Sequence, residues 1–360
     1  MKFEKLGYTD IEISKLCIGG MSFGKAGTMH DWTLDVQTTE EIVKYALDNG
    51  INFFDTANSY SKGTGEEYLG KALKKNISRE KVVIASKVYF NPGRLSKKAI
   101  NQEIESTLRR LGTDYLDLYI IHRFDYQTPI EETMEALNEL VQSGKVRALG
   151  ASAMYGYQFH NMQNVAKENN WTQFSAMENH YNLLYREDER ELIPICQQMG
   201  VSLMPYSPLA AGRLARPEWL NYSIRSKTDL VSHGKYDRTK EHDSQIAKRV
   251  SDIANKYGVG MSQVAIAWQW AKGITSPIIG VTKKKYIDDG VNAFNIKLSS
   301  QDIEYLEELY VPHPIVGAID QNPPEGVVLL DAEKKVNHSL SSRQRKYKKY
   351  SPRLNLGVFY

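Results

Sequence analysis

Eight short apolar or β-branched segments alternate with amphipathic segments along this chain of 360 residues, and the alternation predicts an α/β fold. Strands of a parallel sheet are buried on both faces, so they form continuous apolar runs of this kind. An open doubly wound sheet is the alternative, but it usually carries GxGxxG after its first strand, and this chain does not. We therefore predict a closed (β/α)8 TIM barrel.

Each predicted strand is followed by a segment with helical periodicity. The strands are SKLCIGG, INFFDTA, VVIASKV, YLDLYIIH, VRALGAS, QFSAMENH, VSLMPYSP and TSPIIGV. Two of the helices are marked by their ends. TTEEIVKYALDNG starts with Thr and stops at Gly, and IEETMEALNELVQSGK has acidic residues early and Gly144 near its end.

Three further segments lie outside the repeats. The N-terminal FEKLGYTDIEI has two strand-like pieces around a turn, so residues 1–14 are expected to form a β-hairpin that plugs the bottom of the barrel. The connection from Ala210 to about His242 is long for a βα loop and is expected to be a functional lid or disordered. We assign residues 1–312 to the barrel and 313–360, which lack periodicity, to a partly disordered C-terminal extension.

The composition argues against several classes of protein. The 46 basic and 43 acidic residues nearly balance, so no overall field indicates nucleic acid or an anionic membrane as a partner. No apolar run is long enough to span a membrane, and the start of the chain lacks the apolar core of a secretory signal. We expect a cytoplasmic protein. The basic tail between Lys334 and Arg353 is compatible with an anionic partner, a subunit contact or disorder.

The chain has two cysteines, Cys17 and Cys196, which lie far apart and without metal-ligand spacing. This argues against a disulfide framework and against a structural zinc site. Both are expected to be small buried hydrophobic residues, because no general-base motif lies near either of them.

Four polar residues follow the ends of three successive predicted strands. Asp55 ends the second strand and Tyr60 lies in the loop after it, whereas Lys87 ends the third strand and His122 the fourth. Working residues of a (β/α)8 barrel lie at the C-terminal ends of its strands, so these side chains are expected to meet on one rim. Each alone has an ordinary structural interpretation, and only the joint arrangement favours a catalytic site.

The four side chains suit the reduction of a carbonyl group. Tyr60 would donate a proton to the oxygen, and its ordinary pKa of about 10 calls for a nearby cation, which Lys87 supplies. Asp55 would keep Lys87 protonated, and His122 would donate a hydrogen bond to the carbonyl oxygen. The reaction requires no metal.

The segments around these residues resemble the aldo-keto reductases. DTANSY and the strand ends at Lys87 and His122 look like the Asp/Tyr/Lys/His tetrad of that family, and the resemblance runs from about Lys5 to Val316. It includes LCIGGMSFG, GEEYLGKAL, RRLGTDYLDLYIIHR, HYNLLYREDERELIP and MPYSPLAAGRL. The resemblance, to the aryl-alcohol dehydrogenase-like or potassium-channel-β-like branch, implies an enzyme that reduces aldehydes or ketones with NADPH and uses Tyr60 as general acid.

The resemblance also implies a cofactor site along the rim. Ser152 should bind the nicotinamide carboxamide, Tyr206 should stack on the ring, and residues 207–213 should lie along the pyrophosphate. Thr282 and Lys283 suit the 2′-phosphate at a helix N-terminus. The expected cofactor contacts are Gly20, Met21, Asp55, Ser152, Glu178, Tyr206, Ser207, Pro208, Leu209, Gly212, Arg213, Thr282, Lys283 and Asp289.

Several positions depart from the family pattern. Ala153 stands where relatives often carry Asn or Ser, and Glu178 replaces a frequent Gln. Glu178 could accept from the carboxamide, and a carboxylate there would favour the positively charged oxidised ring over neutral NADPH. A protonated or outward-facing Glu178 would not have that effect. Tyr286 and Gly290 replace Arg and Asn near the 2′-phosphate, so NADH remains possible.

Aromatic residues dominate the expected substrate pocket, although several could instead pack the loops. The candidates are Phe23, Trp32, Tyr89, Phe90, Arg123 and Phe124. They suggest a small carbonyl substrate with apolar or aryl parts. A homo-oligomer is possible.

Two other functions remain open. The barrel could bind NADPH as a redox-sensing regulatory module with little turnover, as potassium-channel β subunits of this family do. It could also be an isomerase or aldolase that uses Lys87 to form a Schiff base. Asp55 argues against the second, because a paired lysine is held protonated.

Overall fold

The computed structural model describes residues 1–219 and 223–316. Within these ranges the chain forms a two-stranded hairpin and an eight-stranded parallel sheet with helices between its strands. The predicted extension at 313–360 lies outside the described residues from 317 onward, so its boundary stays a prediction.

The N-terminal hairpin closes one end of the barrel. Its strands are β1 (Phe3–Lys5) and β2 (Glu12–Ser14), which pair antiparallel. The Gly7 N–H donates to Ser202 Oγ at 2.7 Å, close to the start of a barrel strand. Three hairpin side chains, those of Leu6, Ile11 and Ile13, are buried in the cluster that fills the barrel interior. The predicted hairpin is confirmed, and it seals the N-terminal end of the strands.

Eight parallel strands form the barrel wall. They are β3 (Cys17–Gly19), β4 (Phe53–Asp55), β5 (Val83–Val88), β6 (Leu116–Ile121), β7 (Val146–Ser152), β8 (Phe174–Glu178), β9 (Ser202–Leu203) and β10 (Ile278–Gly280). Each lies inside its predicted segment, and they neighbour one another in chain order, with β10 beside β3. The Ile278 N–H donates to the Pro205 carbonyl at 3.0 Å, just after β9, which closes the ring. The predicted (β/α)8 barrel is confirmed.

Helices surround the sheet. They are α1 (Val36–Asp48), α2 (Thr64–Asn76), α3 (Lys97–Leu111), α4 (Ile130–Gln142), α5 (Gly156–Glu168), α6 (Leu192–Gln198), α7 (Ile224–Thr228), α8 (Leu230–Tyr236), α9 (Lys240–Tyr257), α10 (Met261–Ala271), α11 (Lys284–Asn292) and α12 (Ser300–Glu307). None of the helices in the described ranges is long and apolar enough to cross a bilayer.

Local sequence sets the helix ends. Asp35 accepts from the Thr38 N–H at 2.8 Å, so α1 begins at Val36 and not at the Thr that the sequence suggested. Gly144, with a φ of 76°, follows α4 as expected for a left-handed C-terminal residue.

Two apolar clusters hold the barrel together, one inside the strands and one between the strands and the helices. Cys17 belongs to the inner cluster and Cys196 to the outer one. Both are free and buried, and burial raises the pKa of each thiol. The prediction that they act as buried hydrophobic residues is confirmed.

The connection after Ala210, expected to be a functional lid or disordered, contains α7 and α8. The Tyr236 hydroxyl, at the end of α8, forms a 2.8 Å hydrogen bond with Nε2 of His180, which lies just beyond β8. Arg225 of α7 lies over Trp32, 4.4 Å from the ring centre. These contacts place the segment on the end of the barrel where the strands terminate.

Gly70 offers a test of the packing between α2 and α3. A Cβ at this position would overlap the backbone carbonyl of Leu111, at the end of α3. We expect Gly70→Ala to destabilise the protein by about 1–3 kcal/mol, because the two helices must move apart. Chemical denaturation measures the loss.

Gly234→Ala is the matched control, because Gly234 lies in α8 and a Cβ there would meet no atom of the described residues within 4 Å. This variant should be neutral or slightly stabilising. Equal losses for the two variants would contradict the packing interpretation.

Candidate active site

Lys87 lies at the centre of the predicted catalytic group. Its Nζ, fully buried at the end of β5, is 2.6 Å from both carboxylate oxygens of Asp55, the last residue of β4. The Nζ also donates to the Thr56 carbonyl at 3.0 Å. Because β4 and β5 are parallel neighbours, their C-terminal ends bring the two side chains together.

Tyr60 and His122 complete the group. The Tyr60 hydroxyl lies 3.4 Å from Lys87 Nζ. The Tyr60 and His122 rings meet edge to face, with their centres 5.9 Å apart. His122 directly follows β6, the next strand in the sheet. The structure therefore brings together all four residues predicted from the sequence.

A constrained turn positions Tyr60. Ser61 and Lys62, which follow it, have φ values of 47° and 55°, in the left-handed region that non-glycine residues rarely adopt. Ser61 Oγ donates to the Phe23 carbonyl at 3.2 Å, which anchors the turn to the loop after β3. The aromatic side chain is thereby directed toward Lys87.

Burial and charge set the protonation of the group. Burial disfavours the ammonium of Lys87, but Asp55 and Glu178 raise its pKa well above the usual value. Burial lowers the pKa of His122 well below its usual value, and Lys87 and Arg123 add to this effect. Burial also raises the pKa of Tyr60, and Lys87 opposes the shift without reversing it. At neutral pH the site therefore holds a cationic lysine, a neutral imidazole and a protonated phenol.

Glu178 brings a second carboxyl group to Lys87. It ends β8, is 3% exposed, and places Oε2 at 3.3 Å from Lys87 Nζ. Among the residues that the structure describes, Oε2 has no hydrogen-bond partner, because its approach to Lys87 lacks hydrogen-bond geometry. Burial, followed by the charge of Asp55, raises the pKa of Glu178 to about 8. The outward-facing alternative is wrong, since the side chain points into the site.

The residues expected around the nicotinamide lie next to this group. Ser152 and Glu178 end neighbouring strands and are paired in the sheet register. Ser152 Oγ donates to the Glu178 carbonyl at 2.7 Å. Tyr206, after β9, stacks parallel to His180 with ring centres 5.3 Å apart.

The segment predicted to lie along the pyrophosphate is a sharply turned loop. Ser207, Ala210 and Ala211 have φ values of 58°, 47° and 54°. Pro208, Leu209 and Gly212 belong to the same turns. Arg213 donates to Ser232 Oγ at 2.6 Å and pairs with Asp237 at 2.8 Å, so its guanidinium is tied to the α8 segment.

Gly20 and Met21 form a tight turn directly after β3. A Cβ on Gly20 would lie 2.9 Å from the Asp55 carbonyl oxygen. Glycine thus allows this turn to approach the end of β4 closely, beside the predicted catalytic group.

The predicted 2′-phosphate residues lie after β10. Lys283 is exposed and occupies the residue before α11. Thr282, beside it, is partly buried. The Asp289 carboxylate accepts hydrogen bonds from Ser262 and Gln263 at 3.2 Å, so this side chain joins α11 to α10.

The expected pocket residues separate into two groups. Tyr89 and Phe90 pack edge to face, and Phe90 also meets the His122 ring at 5.1 Å. Arg123 lies over the Phe90 ring, 4.8 Å from its centre. These residues and Trp32 lie near the rim. Phe23 and Phe124 are instead buried in the outer core, at 0% and 4% exposure, where they pack the loops.

The sequence did not indicate Lys235, whose Nζ lies 4.5 Å from the Tyr206 ring centre. Burial lowers the pKa of Lys235 to about 8. This lysine reaches the rim because α8 folds over it, and no motif in the sequence signals that placement. His180, which stacks on Tyr206, was likewise not predicted as part of the site.

Comparison with known proteins agrees with this geometry. The family model described as the aldo/keto reductase family matches residues 15–311. The chain belongs to the aldo/keto reductase family. A Schizosaccharomyces pombe protein named as an aryl-alcohol dehydrogenase is 44% identical, with 87% of this chain and 97% of the relative covered. The versiconal hemiacetal acetate reductase of Aspergillus parasiticus is 41% identical, with 88% and 98% covered. Alternaria alternata has an aldo-keto reductase that is 41% identical, with 88% and 93% covered.

The family and the names of these relatives identify this aldo-keto reductase as an oxidoreductase acting on small carbonyl compounds. The family generally uses NADPH or NADH. The rim fits a nicotinamide, because two buried polar atoms there, His122 Nδ1 and Glu178 Oε2, have no partner within the described residues.

The buried ion pair predicts a thermodynamic coupling. Lys87→Met should destabilise the protein by about 3–5 kcal/mol, because Asp55 would remain buried without a cation. The double variant Asp55→Asn/Lys87→Met should lose less than the sum of the two single variants. Denaturation of the four proteins measures the coupling, and additive losses would show that the two side chains do not act as a pair.

Proposed function

We propose that this protein is an NADPH-dependent reductase of aldehydes and ketones in which Tyr60 is the general acid. The observation that carries the proposal is the chain of contacts from Asp55 through Lys87 to the Tyr60 hydroxyl. It supports a phenol that is protonated in the resting site and stabilised as a phenolate when it gives up its proton.

Each of the four residues has a separate role. Lys87, held protonated by Asp55, offsets the negative charge that forms on the Tyr60 oxygen. His122 is neutral and can donate one N–H to the substrate oxygen without competing as an acid. Tyr60 then transfers its proton to the same oxygen. Burial of the group strengthens these interactions, because little water screens them.

A reduced nicotinamide, when bound, supplies the hydride for the carbonyl carbon. Ser152, Glu178 and Tyr206 would hold the ring, since they lie at or just after the ends of the successive strands β7, β8 and β9. The loop over 207–213 would lie along the pyrophosphate, where its turned backbone suits an anion. Gly20 and Met21 would contact the cofactor from the turn after β3, where Gly20 approaches Asp55.

The substrate would meet aromatic side chains and a cation. Tyr89 and Phe90 lie beside His122, and Arg123 covers Phe90. These contacts favour aldehydes or ketones with an aryl or apolar part. Trp32 would line the outer edge of this pocket.

Tyr60→Phe tests the general acid. Turnover of NADPH with a panel of aryl and aliphatic aldehydes should fall by about 100- to 10,000-fold, because no group replaces the transferred proton. The dissociation constant for NADPH should not change, since only the hydroxyl is removed. Absorbance of NADPH measures turnover, and its fluorescence measures binding.

Tyr305→Phe on α12 is the control and should leave both quantities unchanged. Binding of NADPH by the wild type without turnover across the panel would favour the redox-sensing module instead. Trapping of a carbonyl compound on Lys87 by borohydride would favour the Schiff-base alternative.

Lys283→Met tests the preference for NADPH. Loss of a cation from the 2′-phosphate should raise the dissociation constant for NADPH by roughly 10- to 100-fold and leave that for NADH unchanged. Lys285→Met, an exposed lysine two residues further on, is the matched control. Equal weakening of NADPH and NADH would place the 2′-phosphate elsewhere.

A further inference from the structure

Three buried ionisable side chains lie at the centre of the rim, and one basic group there faces two acidic groups. Lys87, Asp55 and Glu178 are 0%, 2% and 3% exposed. With both carboxyl groups ionised, the three would carry one net negative charge away from water, which is unfavourable. One proton on either carboxyl group makes the net charge of the three side chains zero, so burial favours the protonated form of one carboxyl group.

The contacts show which carboxyl group takes the proton. Asp55 has both oxygens 2.6 Å from Lys87 Nζ, whereas Glu178 has one oxygen at 3.3 Å and outside hydrogen-bond geometry. After burial, the strongest influence on the pKa of Asp55 is Lys87, which lowers it, whereas the strongest influence on the pKa of Glu178 is the charge of Asp55, which raises it. The proton therefore resides on Glu178.

The other titratable groups near Glu178 are neutral, so the charge balance depends on Lys87, Asp55 and Glu178. Cys17 on β3, Tyr60 after β4 and Tyr206 after β9 all feel the charge of Glu178, and burial raises the pKa of each. All three are therefore neutral at neutral pH. His122 is neutral as well, so Lys87 is the cation that stabilises ionised Glu178.

We propose that Glu178 stores a proton that it releases when the oxidised cofactor binds and regains when that cofactor leaves. This inference rests on the proposed function. An oxidised nicotinamide ring carries a positive charge and would stabilise ionised Glu178, whereas a neutral reduced ring would leave the proton in place. The proton passes to solvent, and no other bond changes. The linkage is reciprocal, so ionisation of Glu178 tightens the binding of the oxidised cofactor.

The consequence is a pH-dependent preference between the two cofactor forms. Because burial and Asp55 raise the pKa of Glu178 to about 8, most molecules hold the proton at neutral pH. Affinity for NADP⁺ should rise as the pH increases toward that value, by up to about tenfold per pH unit. Affinity for NADPH should not follow it.

Proton release on binding tests the proposal directly. The full-length protein is mixed with NADP⁺ or NADPH in weak buffer with a pH indicator, somewhat below the pKa of Glu178. Both cofactors carry the same phosphates, so the difference between them reports the ring. The wild type should release more protons with NADP⁺, approaching one per bound molecule.

Glu178→Gln should abolish the difference between the cofactors and flatten the pH dependence of NADP⁺ affinity. Glu105→Gln, an exposed position on α3, should retain both effects. Equal release with the two cofactors in the wild type, or an unchanged difference in Glu178→Gln, would overturn the proposal. Failure of the wild type to bind either cofactor would instead overturn the proposed function, and the inference with it.

Discussion

A lysine ammonium without access to water is the constraint on which the C-terminal end of the barrel strands depends. Lys87 is fully buried, and it stays charged because both oxygens of the Asp55 carboxylate lie against it. An unpaired charge in this position would be too costly to maintain. Tyr60 and His122 lie close enough to this cation for its charge to lower the pKa of both side chains.

The barrel supplies this arrangement through the order of its strands. The ends of β4, β5 and β6 are neighbours, and they carry Asp55, Lys87 and His122 in that order. On the other side, β7 and β8 carry Ser152 and Glu178. Apolar clusters inside and outside the sheet hold these strand ends at fixed separations. The polar side chains thus lie at the ends of strands whose remaining residues form the apolar clusters.

The sequence predicted the parts of the molecule that depend on local pattern. The strands are continuous apolar runs, and the tetrad residues follow strand ends, so their meeting point could be inferred from topology. Three features could not be found in this way. Lys235 lies beside Tyr206 because α8 folds over the rim. Phe23 and Phe124 pack into the core although they lie in loops. The Asp289 side chain accepts a hydrogen bond from α10. Each depends on contacts between distant segments. Glu178 was identified as unusual, but its approach to Lys87 across the barrel required the structure.

The pairing of β3 with β10 also constrains how the chain can fold as it is synthesised. The first barrel strand, near residue 17, forms its outer hydrogen bonds with a strand near residue 278. Until the ribosome has released the chain beyond β10, the sheet has two open edges and the inner apolar cluster lacks Ile278. Most of the polypeptide must therefore wait in a partly assembled form, in which the early strands expose surface that the finished barrel conceals. For a chain of this topology, ring closure therefore comes late, after most of the polypeptide has been synthesised.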